Sequence, residues 1–243
     1  PLLAGQGMID ITGKPLASMY FMQIVWGLRK EPFIGVRPLN HAKEAPTTGA
    51  WQFTNAIDSW SWQGYEGEKA VVEVYANSAS VRLLLNGKEI ANKPVKKYKT
   101  LFKLPYQPGT LTAEALDERG NVISSHSLTT AGEETVLRVT PDKMVLCANN
   151  QALCYLPIEF TDKAGNLKPY MEQRVEVAVV GAATLAGFGS ALCKTNEVFD
   201  KPYHHSYRGR CLVVLRAGST PGKAKVTVTS AGMEPVTIEV EVQ

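Results

Sequence analysis

The sequence predicts an all-β protein of two tandem antiparallel sandwiches preceded by one short helix. Three observations lead to this prediction. From residue 70 onward, apolar and polar residues alternate with a period of two, as on strands with one buried face. Turn signals recur every ~8–12 residues, which is typical of sandwich domains. Helical periodicity is clearest near the N-terminus, over residues 16–28.

The first fifty residues are predicted to be a helix and a linker at the tail of something larger, cut from a longer protein. The helix at 16–28 follows Pro15, a residue that suits the first helical turn. It is apolar on nearly every side, so we expect it to pack on the first sandwich or on a second copy of the chain. Residues 29–50 are rich in proline and predict an extended connection, with one edge strand near 33–36.

The first sandwich is predicted over residues 51–131. The pair Asn86-Gly87 is a strong hairpin signal, because a type I′ turn needs two residues that tolerate positive φ. The strands of this domain are predicted over residues 70–76, 80–85, 88–91, 97–104, 110–116 and 122–128.

The second sandwich is predicted over residues 132–243, after a small and polar boundary at 129–134. Residues 190–209 form a loop of unusual length within it. The loop carries aromatic and basic residues: Phe199, Tyr203, His204, His205, Tyr207 and Arg208. The strands are predicted over residues 136–140, 144–148, 153–161, 175–180, 184–188, 210–217, 222–230 and 236–242.

Composition argues against several classes of partner. The net charge of +3 is small and both signs are interspersed, so we expect neither nucleic acid nor a membrane surface as a partner. No apolar run approaches the ~20 residues of a membrane span. The chain begins at Pro1 without a Met, so a targeting segment could precede it, and both an exported and a cytoplasmic location stay open.

The cysteines and histidines give no metal pattern. No CxxC pair occurs and no histidine stands at a zinc-site spacing, so free thiols are favoured over disulfides, and neither metal nor cofactor is expected. The pair His204-His205 has no carboxylate at helical spacing; a surface or interdomain loop is favoured over a sugar or protein contact. His41 and His126 stand alone and read as structural or exposed. The four cysteines are Cys147, Cys154, Cys193 and Cys211.

No catalytic residue is predicted in this chain. The glycines at 181, 187 and 189 lead into a loop and not a helix, so a phosphate cradle is not expected. No G-x-S-x-G elbow occurs. The acids on strands read as ordinary solvated faces, and they include Glu73, Glu114, Glu239 and Glu241.

Trp60 and Trp62 are the candidate binding residues. Their i, i+2 spacing places both on one face of an extended chain, where Trp51 and Tyr65 could complete an aromatic platform for sugar rings. Tryptophans ahead of a sandwich also serve to pack domains together. Domain packing is the favoured interpretation and carbohydrate contact the alternative.

Several motifs in order resemble glycoside hydrolase family 2, the β-galactosidase group. Residues 7–15 with Tyr20 and Trp26 resemble the end of that family's catalytic barrel. The likeness continues with DSWSW at 58–62 for the family's H-W-N-W, with EG at 66–67 and VYAN at 74–77 for its E-G-K and V-Y-S-N elements, and with VRLLLNGK at 81–88 for its V-E-L-F-L-N-G-K hairpin. Residues 133–243 resemble the immunoglobulin-like domain that often follows.

The resemblance implies a retaining hydrolase of terminal β-galactosides for the intact protein. Its two catalytic glutamates would lie upstream, so this chain would be a non-catalytic accessory region without turnover. Ser59 and Ser61 stand where the family has His and Asn, which puts a pocket contact at those positions in doubt. The implied partners are the upstream catalytic domain, carbohydrate and a second copy of the chain. The rival hypotheses are a carbohydrate-binding or adhesion module using Trp60 and Trp62, and a protein-interaction module.

Overall fold

A computed structural model describes residues 7–43, 49 and 51–243. The chain divides into two compact units, of which the first ends at Ala131 and the second begins at Gly132. Both are built from antiparallel sheets, which confirms the predicted all-β sandwich class. Residues 44–48 of the predicted connection, including Pro46, lie outside the described residues.

The first unit holds one helix and seven strands among its described residues. The edge strand that was predicted near residues 33–36 is present, and it pairs with the next strand of the chain. The elements are α1 (Ala17–Val25), β1 (Phe33–Val36), β2 (Lys69–Tyr75), β3 (Ser80–Leu85), β4 (Lys88–Pro94), β5 (Lys99–Pro105), β6 (Thr110–Leu116) and β7 (Val122–Thr129).

Two sheets enclose the core of this unit, in the orders β1-β2-β5 and β4-β3-β6-β7. Alternate residues of their strands point inward, as the period of two predicts; Val72, Val74, Val81 and Leu83 are fully buried. At the β3–β4 hairpin the φ angles of Asn86 and Gly87 are 52° and 77°. Both are positive, as the type I′ turn requires.

Helix α1 packs on the sheet β1-β2-β5. The ring of Tyr20 stacks on Phe33 with centroids 4.4 Å apart, and Phe21 meets Tyr75 edge-on at 5.3 Å. Ala17 and Ile24 are buried beneath these rings. The expectation that this apolar helix covers the first sandwich is therefore confirmed for one face.

The helix ends three residues earlier than predicted. Gly27 adopts a left-handed φ of 72°, and the Leu28 N–H donates to the Gln23 carbonyl at 2.8 Å, as in a Schellman C-cap. Trp26 and Leu28 therefore leave the helical stripe and are exposed. The predicted helix over 16–28 was therefore too long, and these two residues do not share in its packing, because the glycine stops the helix first.

The second unit consists of nine strands in its two sheets. The sheet orders are β12-β14-β10-β8 and β13-β11-β15-β16-β9, and the short contact of β9 with β16 is parallel. The strands are β8 (Val136–Val139), β9 (Val145–Leu146), β10 (Leu153–Thr161), β11 (Arg174–Gly181), β12 (Ala183–Gly189), β13 (Tyr203–His205), β14 (Arg210–Ala217), β15 (Gly222–Ser230) and β16 (Val236–Val242).

The core of this unit fills the space between its sheets. Leu156, Phe160, Val213 and Val228 are completely buried there. Strand β13 lies inside the segment predicted to be a loop, and it pairs with β11 at the edge of the five-stranded sheet. Three residues are too few for a period-two pattern to be recognised, which is why the sequence did not indicate it.

All four cysteines are free thiols, as favoured from the sequence. Cys154 and Cys211 are buried in the second core, where they pack as small apolar side chains. Burial raises the pKa of the Cys154 thiol to about 11 and also raises the pKa of Cys211. Cys147 is exposed and Cys193 half-buried.

Candidate functional site

The segment that carries the predicted binding residues is buried. Trp60 and Trp62 are both 0% exposed, and the neighbouring Ser59 and Ser61 are also buried. Stacking a sugar on either tryptophan requires a free ring face. Neither tryptophan has a free ring face in this structure. Carbohydrate contact through Trp60 and Trp62 stays a prediction, and it would require the segment to move away from the residues that cover it.

Hydrogen bonds fix the segment at its position. The Trp60 indole N–H donates to the Gln107 carbonyl at 3.0 Å, and its ring meets Tyr106 edge-on with centroids 4.9 Å apart. The Trp62 amide donates to the Tyr106 hydroxyl at 3.0 Å. Thr130 donates to the Trp60 carbonyl at 2.7 Å. These contacts make Trp60 a packing residue of the first unit.

Ser59 and Ser61 stand where the family that the sequence resembles has His and Asn. Ser61 forms a hydrogen bond at the end of the first unit. Ser61 Oγ accepts the Ala131 N–H at 2.9 Å, so it holds the last residue of the first unit. On the other side of the boundary, the Gly132 N–H donates to Asp162 Oδ2 at 2.8 Å. Ala131 is therefore held by a side chain of the first unit and Gly132 by a side chain of the second.

The Trp62 indole N–H has no hydrogen-bond partner in the part of the chain that the structure describes, although it is buried. A buried donor without an acceptor costs about 1–3 kcal/mol. A hydroxyl acceptor placed beside this nitrogen would satisfy the donor.

Glu73 carries a buried negative charge on strand β2. Its carboxylate accepts hydrogen bonds from Arg37 (2.8 Å), Thr54 (2.9 Å), the Tyr75 hydroxyl (2.7 Å) and Lys99 (2.6 Å). Its side chain is 0% exposed, so the prediction of a solvated strand face was wrong here. The period-two pattern failed because α1 and residues 51–57 cover the outer face of this sheet.

The protonation of this cluster follows from its partners. Burial alone would raise the pKa of Glu73, but the hydrogen bonds from Lys99 and Tyr75 and the positive charge of Lys99 outweigh burial and lower that pKa. The same burial and the nearby carboxylate raise the pKa of Tyr75 far above its usual range. Glu73 is therefore ionised and Tyr75 neutral at pH 7. A carboxylate with four donors is occupied and poorly suited to attack a substrate.

The paired histidines form a small cluster with Glu197. His205 Nδ1 donates to Glu197 Oε1 at 2.8 Å, and His204 Nδ1 donates to the His205 carbonyl at 2.8 Å. The buried ring of His204 stacks on Phe199 with centroids 5.8 Å apart. The contacts fix Glu197 to strand β13, where His205 is exposed and His204 fully buried, so the prediction of a surface loop was wrong for His204; an interdomain position stays a prediction.

Metal ligation has no support in this cluster. Within residues 7–43, 49 and 51–243, no group of three His, Cys, Asp or Glu side chains could hold an ion.

His126 stacks on Phe33 with ring centroids 6.5 Å apart, and burial lowers its pKa, so it reads as a structural residue. No helix in the described part of the chain has the length and apolar character needed to cross a membrane.

Comparison with known proteins gives the class to which this fold belongs. Residues 137–239 match the family model described as glycoside hydrolase family 2 C-terminal domain 5. Residues 67–124 match a domain of unknown function, DUF4982. The match over residues 137–239 is to the C-terminal region of glycoside hydrolase family 2, in agreement with the resemblance of the sequence motifs.

Particular relatives cover nearly the whole chain. A β-galactosidase of Bacteroides ovatus is 27% identical over 98% of this chain and 25% of its own length. A putative β-glucuronidase of Formosa agariphila is 26% identical over 93% of the chain and 20% of its own length. The crystal structure of a family 2 member from Bacteroides cellulosilyticus superposes with a TM-score of 0.86 at 26% identity, covering 99% of this chain and 32% of that one. The chain thus spans about a quarter of the curated relatives' length.

Proposed function

We propose that this chain is a non-catalytic accessory region of a larger glycoside hydrolase. The burial of Trp60 and Trp62 is the observation that carries the proposal, because it gives them a packing role and leaves no aromatic platform exposed. The catalytic carboxylates of the intact protein would lie in the upstream part that its longer relatives possess. The relatives' length supports this, since the chain accounts for a quarter of it.

The intact protein would hydrolyse terminal β-galactosides with retention, through one nucleophilic carboxylate and one acid/base carboxylate. The name of the Bacteroides ovatus relative supports a β-galactoside. The Formosa agariphila relative carries the name of a β-glucuronidase, so a terminal β-glucuronide is the competing substrate. Assay of the intact protein on matched chromogenic galactoside and glucuronide distinguishes the two.

The proposed partner of the first unit is the upstream catalytic domain, and a second copy of the chain is the competing partner. Large apolar side chains support such a contact: Trp26 and Leu28 after helix α1, and Trp51, are all more than half exposed. Exposed apolar residues of this size are common at protein interfaces.

A carbohydrate-binding module is the second candidate function. The unpaired indole N–H of Trp62 favours it, because a sugar hydroxyl would supply the missing acceptor. Calorimetric titration of the chain with galactose-containing oligosaccharides tests this candidate. Binding that Trp62→Phe abolishes, while the fold is retained, would replace the accessory proposal by the module.

Substitution in the intact protein tests the accessory role. Trp60→Ala removes a buried side chain, so we expect a loss of about 3–5 kcal/mol in the stability of this region with KM unchanged for the folded fraction. Ile90→Ala is the control, because Ile90 is an exposed apolar residue of the same unit outside the proposed interface, and the stability should change by less than about 1 kcal/mol. A raised KM for Trp60→Ala with unchanged stability would contradict the proposal.

A further inference from the structure

A pocket of about 630 Å³ lies on the first unit, apart from the tryptophan segment. Helix α1 provides Phe21, residues 51–57 provide Phe53, and the end of β4, the turn after it and the start of β5 provide the remaining wall. The volume falls within the range of ~300–1,000 Å³ that small-molecule sites usually have.

The interior of the pocket is apolar. Phe21 and Phe53 meet edge-on, with ring centroids 5.0 Å apart, and Leu101 and Pro94 extend the apolar lining. Leu101 is a large apolar side chain that is 41% exposed in a strand. A flat apolar group placed here would cover Leu101 and the two phenyl rings together.

Lysines line this pocket and no acidic residue does so. Lys93 donates to the Leu101 carbonyl at 2.9 Å, and Lys99 is neutralised by Glu73. Lys96 and Lys97 are exposed and have no carboxylate partner within the described residues. The positive charge at the rim is therefore uncompensated, and an anion would be attracted to it.

The turn that presents these lysines has an unusual backbone. Lys97 and Tyr98 both have positive φ, 50° and 63°, and Lys96 pairs with Lys99 across the turn. Glycine or asparagine normally occupies such positions, because other side chains are strained there. The turn points Lys96 and Lys97 to the same pocket despite this preference.

We propose that the pocket binds a small anionic amphiphile, a molecule with a flat apolar body and one carboxylate, sulfate or sulfonate group. The apolar body would lie against Phe21, Phe53 and Leu101, and the anion would face Lys96 and Lys97. A neutral sugar fits less well, because Thr100 provides the one hydroxyl in the lining. The proposal does not depend on the proposed function of the chain.

Calorimetric titration of this chain with three matched probes tests the proposal: naphthalene sulfonate, the neutral naphthalene sulfonamide and the cationic naphthylmethylammonium. We expect the sulfonate to bind at least about fivefold more tightly than the sulfonamide, and the cation to bind more weakly than both. Raising salt from about 0.01 M to about 1 M should weaken only the sulfonate, because the Debye length falls from about 30 Å to about 3 Å.

Two variants locate the binding. In Lys96→Gln/Lys97→Gln the sulfonate affinity should fall about fivefold and the sulfonamide affinity should stay constant. Leu101→Ala should weaken both probes, because it removes apolar surface. The control Lys88→Gln/Lys194→Gln makes the same charge change at exposed lysines outside the pocket and should leave all three affinities unchanged.

Several outcomes would overturn the proposal. Equal affinity for the sulfonate and the sulfonamide would remove the anionic preference. An equal effect of the control variant would make the attraction a property of the net charge and not of this pocket. A short Asp-Phe-Asp peptide that binds more tightly than the sulfonate would make the occupant a polypeptide segment instead.

Discussion

Glu73 is charged and fully buried in the first unit because four side chains surround its carboxylate. These hydrogen bonds connect strand β2 to residues 51–57 through Thr54. They also connect it to the two edges of the sheet through Arg37 and Lys99. A buried charge is tolerated when each of its lone pairs meets a donor. Removing the charge would leave those donors incompletely paired.

Glu73→Gln should therefore destabilise the first unit by about 2–4 kcal/mol, because a neutral amide cannot compensate both cations. Urea unfolding followed by tryptophan fluorescence measures the change. Glu114→Gln is the matched control: its pair with Arg82 is partly exposed (21% and 32% for the two side chains), so its loss should cost less than about 1 kcal/mol. Equal effects in the two variants would refute the special role of Glu73.

Stability should also fall in acid through this residue. The pKa of Glu73 in the folded state lies below its ordinary value of 4.5. A lowered pKa means that the unfolded state binds the proton first, so the stabilisation is present above pH 4.5 and is lost as pH falls through the folded pKa. The difference in unfolding free energy between the wild type and Glu73→Gln should shrink below that pH. A difference that stays constant in acid would contradict this assignment.

Among single residues, the spacing and context of Trp60 and Trp62 marked them for packing or binding; the structure shows both buried, and carbohydrate contact stays a prediction. It did not indicate the burial of Glu73. That burial depends on α1 and residues 51–57, which are distant in sequence and cover a face that an isolated strand would expose to water. A period of two describes the strand but not what lies against its second face.

At the scale of elements, the loop 190–209 is fixed by the cluster of Glu197, His204 and His205. Burial alone would raise the pKa of Glu197, but the hydrogen bond from His205 and the charge of His204 outweigh burial and lower that pKa. This carboxylate is therefore ionised and available as an acceptor. The loop also returns to strand β12, where the Phe188 N–H donates to the Phe199 carbonyl at 2.8 Å. The loop is thus connected to both sheets of the second unit.

Glu197→Gln should loosen this loop without unfolding the domain. We expect proteolytic cleavage within 190–202 to accelerate about fivefold, because the charge-assisted bond from His205 is lost. Asp200→Asn is the control from the same loop, since Asp200 is highly exposed and lies 3.9 Å from Lys201. Limited proteolysis with mass spectrometry measures both. Equal cleavage of the two variants would show that Glu197 does not hold the loop.

Strand positions were predictable to within a few residues, because alternation and turn residues such as Asn86-Gly87 are local signals. Helix α1 was predicted as an element, but its end was not, since Gly27 in a left-handed conformation stops it before the apolar pattern does. The lysine-rimmed pocket was not predictable, because its walls come from α1, the segment at Phe53 and the β4–β5 turn.

At the scale of the whole molecule, we propose that the two sandwich units support an upstream catalytic part, with Trp60, Trp62 and Glu73 buried in the first unit. The family 2 relatives are four to five times as long as their matched portion, which leaves room for the catalytic part upstream. The central claim is that catalysis lies there and not in this chain.

Hydrolysis of a chromogenic β-galactoside by this chain alone tests that claim most directly. The account predicts no release of chromophore above the rate in buffer, because it places both catalytic carboxylates in the upstream part of the intact protein. Turnover that copurifies with the folded chain, and that Glu73→Gln abolishes, would contradict the account and place a catalytic centre in the first unit.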